Sequence, residues 1–99
     1  MGEALRYLRI FNGYKSAQLA EELGLSQSYI SELENGKKQP SIEVLDRYAR
    51  LFNMKKSTLM LFAESIESGM ADMKQKQRVA YIGMKLLQIM EKVGELDAE

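Results

Sequence analysis

The chain has 99 residues, with 14 Lys or Arg against 14 Asp or Glu, so it carries no net charge. That balance argues against a nonspecific coat on a polyanion, which needs a basic surface, but allows cations at a few chosen places. Cysteine and histidine are both absent, which excludes disulfides, thiolate metal sites and every Ser–His or Cys–His catalytic pair.

An apolar fraction of 45% is enough for one compact domain around one core. No apolar run reaches the length of a membrane span and no signal-peptide pattern opens the chain, so a soluble, cytoplasmic protein is expected. No clustered carboxylate constellation and no phosphate-cradling glycine loop is present. The expectation is therefore no enzyme, no cofactor and no metal.

Nothing alternates with period two over a useful length, while helical spacing recurs throughout, so the fold class is all-α. A first helix is predicted from about Glu3 to Phe11, with Leu5 and Leu8 inward and Asn12-Gly13 as its stop. A second runs from Ser16 to Leu23 and stops at Gly24. A third starts behind Ser26, a good N-cap, and ends at Asn35-Gly36. The loop KKQPS holds the only proline, Pro40. Ser41 then caps a fourth helix with Leu45, Tyr48, Ala49 and Phe52 on one side. Ser57 is expected to cap a fifth, with Leu59, Phe62 and Ile66 as its apolar line. ESGMAD reads as a joint, and a sixth helix is predicted over about Ala71 to Leu96. Residues 1–66 thus form a five-helix unit, and residues 67–99 form a C-terminal helix for dimerisation or partner binding.

The second and third helices carry a combined pattern. Two short helices that cross at close range need a small residue at the contact, which is Ala20. The tight turn between them needs a positive φ, which Gly24 supplies. Leu19 and Leu23 dock the first helix, and Ile30 and Leu33 dock the second. Six residues in register, with caps at both starts, read as a helix-turn-helix.

The run LRYLRIFNGYKSAQLAEELGLSQSYISELENGKKQPSIEVLDRYARLF resembles the Cro and phage-repressor type of helix-turn-helix domain. The matching pieces are LRYLR, LAEELG, SYISELENGK and PSIEVLDRYARLF, and the resemblance covers roughly Leu5 to Phe62. It implies a five-helix, lambda-repressor-like bundle that binds double-stranded operator DNA, usually as a homodimer. The residues after about Glu67 are not covered.

A helix turns by about 100° per residue, so faces can be assigned. With Ile30 and Leu33 inward, Ser28, Ser31, Glu32 and Asn35 point outward, and Gln27 lies at the N-terminal tip. That end enters the major groove in this motif. Gln pairs with adenine N6 and N7, Ser bonds several base edges, and Glu accepts from cytosine N4. The resemblance puts Gln27, Ser28 and Glu32 at base-reading positions, with Ser31 beside them. Phosphate contacts are expected from Lys15, Ser16 and Ser26 at the starts of the two helices, and from Asn35, Lys37 and Lys38 after the second. The chain departs from the family pattern at Lys15 and Ser16, where a small polar cap followed by Gln is common. The resemblance also implies a partly buried ion pair between Arg9 and Glu34.

In the sixth helix, Val79, Ile82, Leu86, Ile89, Val93 and Leu96 are spaced 3, 4, 3, 4, 3, a heptad seam. Tyr81, Met84, Leu87 and Met90 widen its apolar girth, so two partners are expected. One is the chain's own bundle, at Ile10, Phe11 and Met60; the other is the same helix of a second chain, with the seam as dimer interface. The function this implies is a sequence-specific transcriptional regulator, a repressor on a near-palindromic operator. Two other functions fit the same residues: an antitoxin whose C-terminal helix covers a toxin, and a protein-interaction module that keeps the fold.

Overall fold

The computed structural model describes residues 1–69 and 73–97, the side chains of 75, 90 and 92–97 excepted. Six α-helices follow one another: α1 (Gly2–Phe11), α2 (Ser16–Leu23), α3 (Gln27–Glu34), α4 (Ile42–Leu51), α5 (Lys56–Gly69) and α6 (Gln75–Asp97). No strand occurs among the described residues. The all-α class and the bounds of the first four helices agree with the sequence reading to within a residue.

The first four helices end by one device. After α2, the Leu25 N–H reaches back to the Ala20 carbonyl (2.9 Å) and the Gly24 N–H to that of Glu21 (3.2 Å). Gly24 stands at φ 68°, in the left-handed region, where a side chain would be strained. The same reversed pair closes α1 (Tyr14 to Arg9, Gly13 to Ile10), α3 (Lys37 to Glu32, Gly36 to Leu33) and α4 (Met54 to Ala49, Asn53 to Arg50). In α4 the left-handed residue is Asn53, at φ 54°. Ser26 and Ser41 cap α3 and α4, each hydroxyl accepting from the N–H three residues on at 3.1 Å.

The core gathers one face of every helix. Leu5 and Leu8 of α1, Leu19 of α2, Ile30 and Leu33 of α3, Tyr48 of α4, and Leu59, Phe62 and Ile66 of α5 are all buried. Burial of each such aliphatic or phenyl side chain contributes about 1.5–3 kcal/mol, which offsets the ordering of the chain. α3 packs on both α1 and α2, so the helix-turn-helix is held by its own turn and by the first helix.

Two expectations about the fifth and sixth helices are corrected. Ser57 is not the cap of α5: the helix starts at Lys56, and Leu59 N–H already bonds the Lys55 carbonyl at 3.0 Å. Nor does the chain break at Glu67. α5 continues to Gly69, with Ser65 and Ser68 folding their hydroxyls onto the carbonyls of Leu61 and Glu64 (2.9 Å each). Met70, Ala71 and Asp72, the rest of the expected joint, lie outside the described residues. α6 begins at Gln75 because the Gln77 side chain accepts from the Lys74 N–H (3.2 Å), half of a capping box.

α6 lies on the bundle. Tyr81 donates to the Ser65 carbonyl (3.2 Å), Arg78 pairs with Glu3 (3.1 Å), and a Cβ on Gly69 would collide with the Tyr81 ring. Ile82 is wholly buried and Leu86 nearly so, within the same core cluster as α1 to α5; Ile89 packs against it. This corrects the heptad seam. Ile82 and Leu86 are covered by their own chain, so they are not free to meet a second one. Val79 stays 41% exposed. The side chains of Val93 and Leu96 lie outside the described residues. The expected contact with helix 1 is present at Phe11, whose ring would stand 3.5 Å from a Cβ on Gly83, while Ile10 and Met60 remain exposed.

Candidate nucleic-acid interface

The exposed side of α3 is built by elimination. Ile30 and Leu33 are turned fully inward, which leaves Gln27, Ser28 and Ser31 exposed and Glu32 half-buried. These four line one shallow hollow. Three neutral hydrogen-bonding groups and one carboxylate therefore face outward from the same two turns. The charge of Glu32 is not left alone: Lys38 Nζ stands 3.2 Å from its Oε2 and 5.8 Å from the centre of the Tyr29 ring.

The groups expected at the DNA backbone fall at two places. At the starts of the helices, Lys15 is the exposed N-cap residue of α2, Ser16 is its half-buried first residue, and Ser26 caps α3. The Lys15 N–H is taken by the Gln18 side chain (3.0 Å), so Gln18 supplies the cap that Ser16 does not. At the end of α3, Asn35 is the exposed C-cap, with its Nδ2 3.3 Å from Ser31 Oγ. Lys37 is exposed and in no ion pair among the described residues, whereas Lys38 is engaged with Glu32.

Behind this surface, Arg9 of α1 grips Glu34 of α3 with two parallel hydrogen bonds, Nε to Oε2 at 2.8 Å and Nη2 to Oε1 at 3.0 Å. Its Nη1 donates to the Tyr14 carbonyl (3.1 Å). The side chains are 15% and 7% exposed, so solvent screens the pair weakly. The hydrogen bond to Glu34 raises the Arg9 pKa above its already high ordinary value, so the guanidinium stays charged. A second brace was not visible in the sequence: Arg47 of α4 donates to the Leu23 carbonyl at 3.1 Å, at the end of α2. It ties the turn to α4.

Two short helices crossing at a left-handed glycine, with a polar face on the second, match a known pattern: the helix-turn-helix family covers residues 5–59, over half the chain. The chain belongs to the helix-turn-helix family of Cro and phage-repressor type. Its relatives in that family include the competence pilus inhibition repressor of Acinetobacter baylyi, 38% identical over 68 residues, 69% of this chain and 62% of that protein. The ImmF control region 10 kDa protein of Bacillus phage phi105 is 33% identical over 70% of this chain and 78% of its own length. The regulator SinR of Bacillus subtilis is 31% identical over 61% of this chain and 55% of its own length. The shared segment thus spans under two thirds of the Acinetobacter repressor and of SinR. No described helix is long and apolar enough to cross a membrane.

Proposed function

We propose that this chain is a sequence-specific DNA-binding repressor that reads a near-palindromic operator as a homodimer. The observation that carries the reading is the outward face of α3, where Gln27, Ser28, Ser31 and Glu32 stand together at the end of a helix locked by Gly24 and by the Arg9–Glu34 pair. Gln27 and Ser28 read base edges, Glu32 accepts from cytosine or rejects a misfit, and the Lys38 ammonium limits its repulsion of the backbone. Lys37, Asn35 and the starts of α2 and α3 hold phosphates. The names of two relatives, a competence repressor and SinR, support a regulator.

Pairing is assigned to the side of α6 that its own bundle leaves open. Val79, Gly83 and Leu87 recur every four residues in one stripe, Phe11 borders Gly83, and Val79, Leu87, Phe11 and Ile10 are all exposed. Two copies joined there would read half-sites about one helical turn, roughly 34 Å, apart. In-vitro selection from a random duplex pool tests the whole reading. The expected product is an enriched site with two-fold symmetry; a pool that never enriches, or one without repeated half-sites, overturns it.

A further inference from the structure

At the far end of α3 from Gln27, six residues of three helices line an open polar groove: Glu3, Arg6 and Tyr7 of α1, Glu34 and Asn35 at the end of α3, and Arg78 of α6. Its ionic pairs are mostly closed. Glu34 is held by Arg9, and Glu3 by Arg78, whose Nε also donates to the Met73 carbonyl (3.1 Å). Arg6 is exposed and enters no ion pair among the described residues. Three guanidinium groups (Arg6, Arg9, Arg78) against two carboxylates (Glu3, Glu34) leave one positive charge, carried by the planar five-donor fork that suits a phosphate.

We infer that this groove takes a phosphate of the DNA backbone, with Arg6 as its cation and the Asn35 amide beside it. The inference rests on the DNA-binding reading above. Three observations lead to it. α3 has eight residues, about 12 Å of helix at 1.5 Å per residue, close to the width of a major groove. A helix of that length with its first turn on the bases has its last turn near the sugar–phosphate wall. Asn35 joins the groove to the reading face, because its side chain reaches Ser31, which lines the hollow with Gln27 and Ser28. Finally, Lys38 is tied to Glu32, so among the described residues Lys37 is the one unpaired cation of α3 and its following loop, and Arg6 supplies a second from the neighbouring helix.

The test compares the full chain with its Arg6→Gln and Lys37→Gln variants, on the selected operator and an unrelated duplex, between about 50 and 200 mM KCl. Arg6→Gln is expected to weaken both duplexes by a similar factor, roughly eightfold near 0.1 M salt. It should also reduce the slope of log K against log salt by about one. Thermal unfolding should match the parent. If Arg6→Gln binds both duplexes with parental affinity and slope while Lys37→Gln does not, the groove is no phosphate site and the repressor reading stands. A loss confined to the operator, with the slope unchanged, also overturns it. A last arm replaces chloride with inorganic phosphate at equal ionic strength. If phosphate raises the Tm of the parent but not of Arg6→Gln, and duplex binding is unaffected, the groove holds a free anion and the DNA assignment falls. If the parent binds no duplex at any salt, both readings fail together.

Discussion

The Tyr48 hydroxyl lies inside the bundle with no hydrogen-bond partner among the described residues, although its ring is one of the largest core side chains. Burial pushes its pKa well above the ordinary tyrosine value, and the nearby Glu34 carboxylate adds to the rise. An unpartnered buried hydroxyl costs about 1–3 kcal/mol. Tyr48→Phe keeps the ring and removes the oxygen, so the Tm should rise by several degrees, for a gain of about 1 kcal/mol. The sign with pH follows from the raised value. The folded state keeps its proton where the unfolded chain loses it, so stability should fall as pH climbs past about 10. The variant should lose that part of the alkaline fall; identical alkaline curves would show that Tyr48 is not the group responsible. The Arg9–Glu34 pair behaves in the opposite way, because both charges are satisfied. Arg9→Ala leaves a buried carboxylate alone and should cost roughly 3–5 kcal/mol in denaturant unfolding, while Arg9→Met with Glu34→Leu should recover most of the loss. A single variant as stable as the parent would mean the pair does not hold α3 on α1.

At the scale of the helices, the chain's local signals sit beside the residues they control for α1 to α4, and these elements were readable. Ser26 and Ser41 bond N–H groups three positions away, and Gly13, Gly24 and Gly36 take the left-handed turn at their own positions. The same signals mislead at α5. Ser57 has a cap's identity but lies inside the first turn, and Gly69, inside the expected joint, is instead the last residue of α5, where a Cβ would strike the Tyr81 ring of α6. A partner twelve residues away cannot be seen in a local pattern. Likewise the outward face of α3 follows from its period alone. The Lys38–Glu32 and Arg47–Leu23 contacts were not legible, since long side chains choose partners only once the helices are placed. The heptad in α6 shows the same limit: its spacing marks an apolar seam but not which body covers it. Ile82→Ala decides that. If Ile82 belongs to its own bundle, the change should cost about 2–5 kcal/mol, with a Tm shift that does not depend on protein concentration. A shift that disappears on dilution would return Ile82 to an interface between chains.

For the whole molecule, a neutral chain has little long-range attraction for DNA, so on the proposed reading its affinity comes from fit and from joining two readers. One α3 offers four outward groups, too few to single out a site among many. Coupling two raises the binding of the second by its effective concentration, typically a hundredfold or more, without a new contact to DNA. The stripe of Val79, Gly83 and Leu87 beside Phe11 is where that coupling is assigned. It has the composition for it, since a glycine lets helices approach closely and Leu87 is 59% exposed in the single chain. Leu87→Asp tests the link between pairing and reading in one protein. Because the side chain is largely exposed, the monomer should fold with an unchanged helix signal. Sedimentation should show half the parental mass. Binding to a duplex with one half-site should be unaltered, and binding to the two-fold site should fall about a hundredfold, towards the half-site value. A variant that stays dimeric places the interface elsewhere on α6. Equal weakening on both duplexes would mean that Leu87 supports the reading helix and not the pairing of two chains.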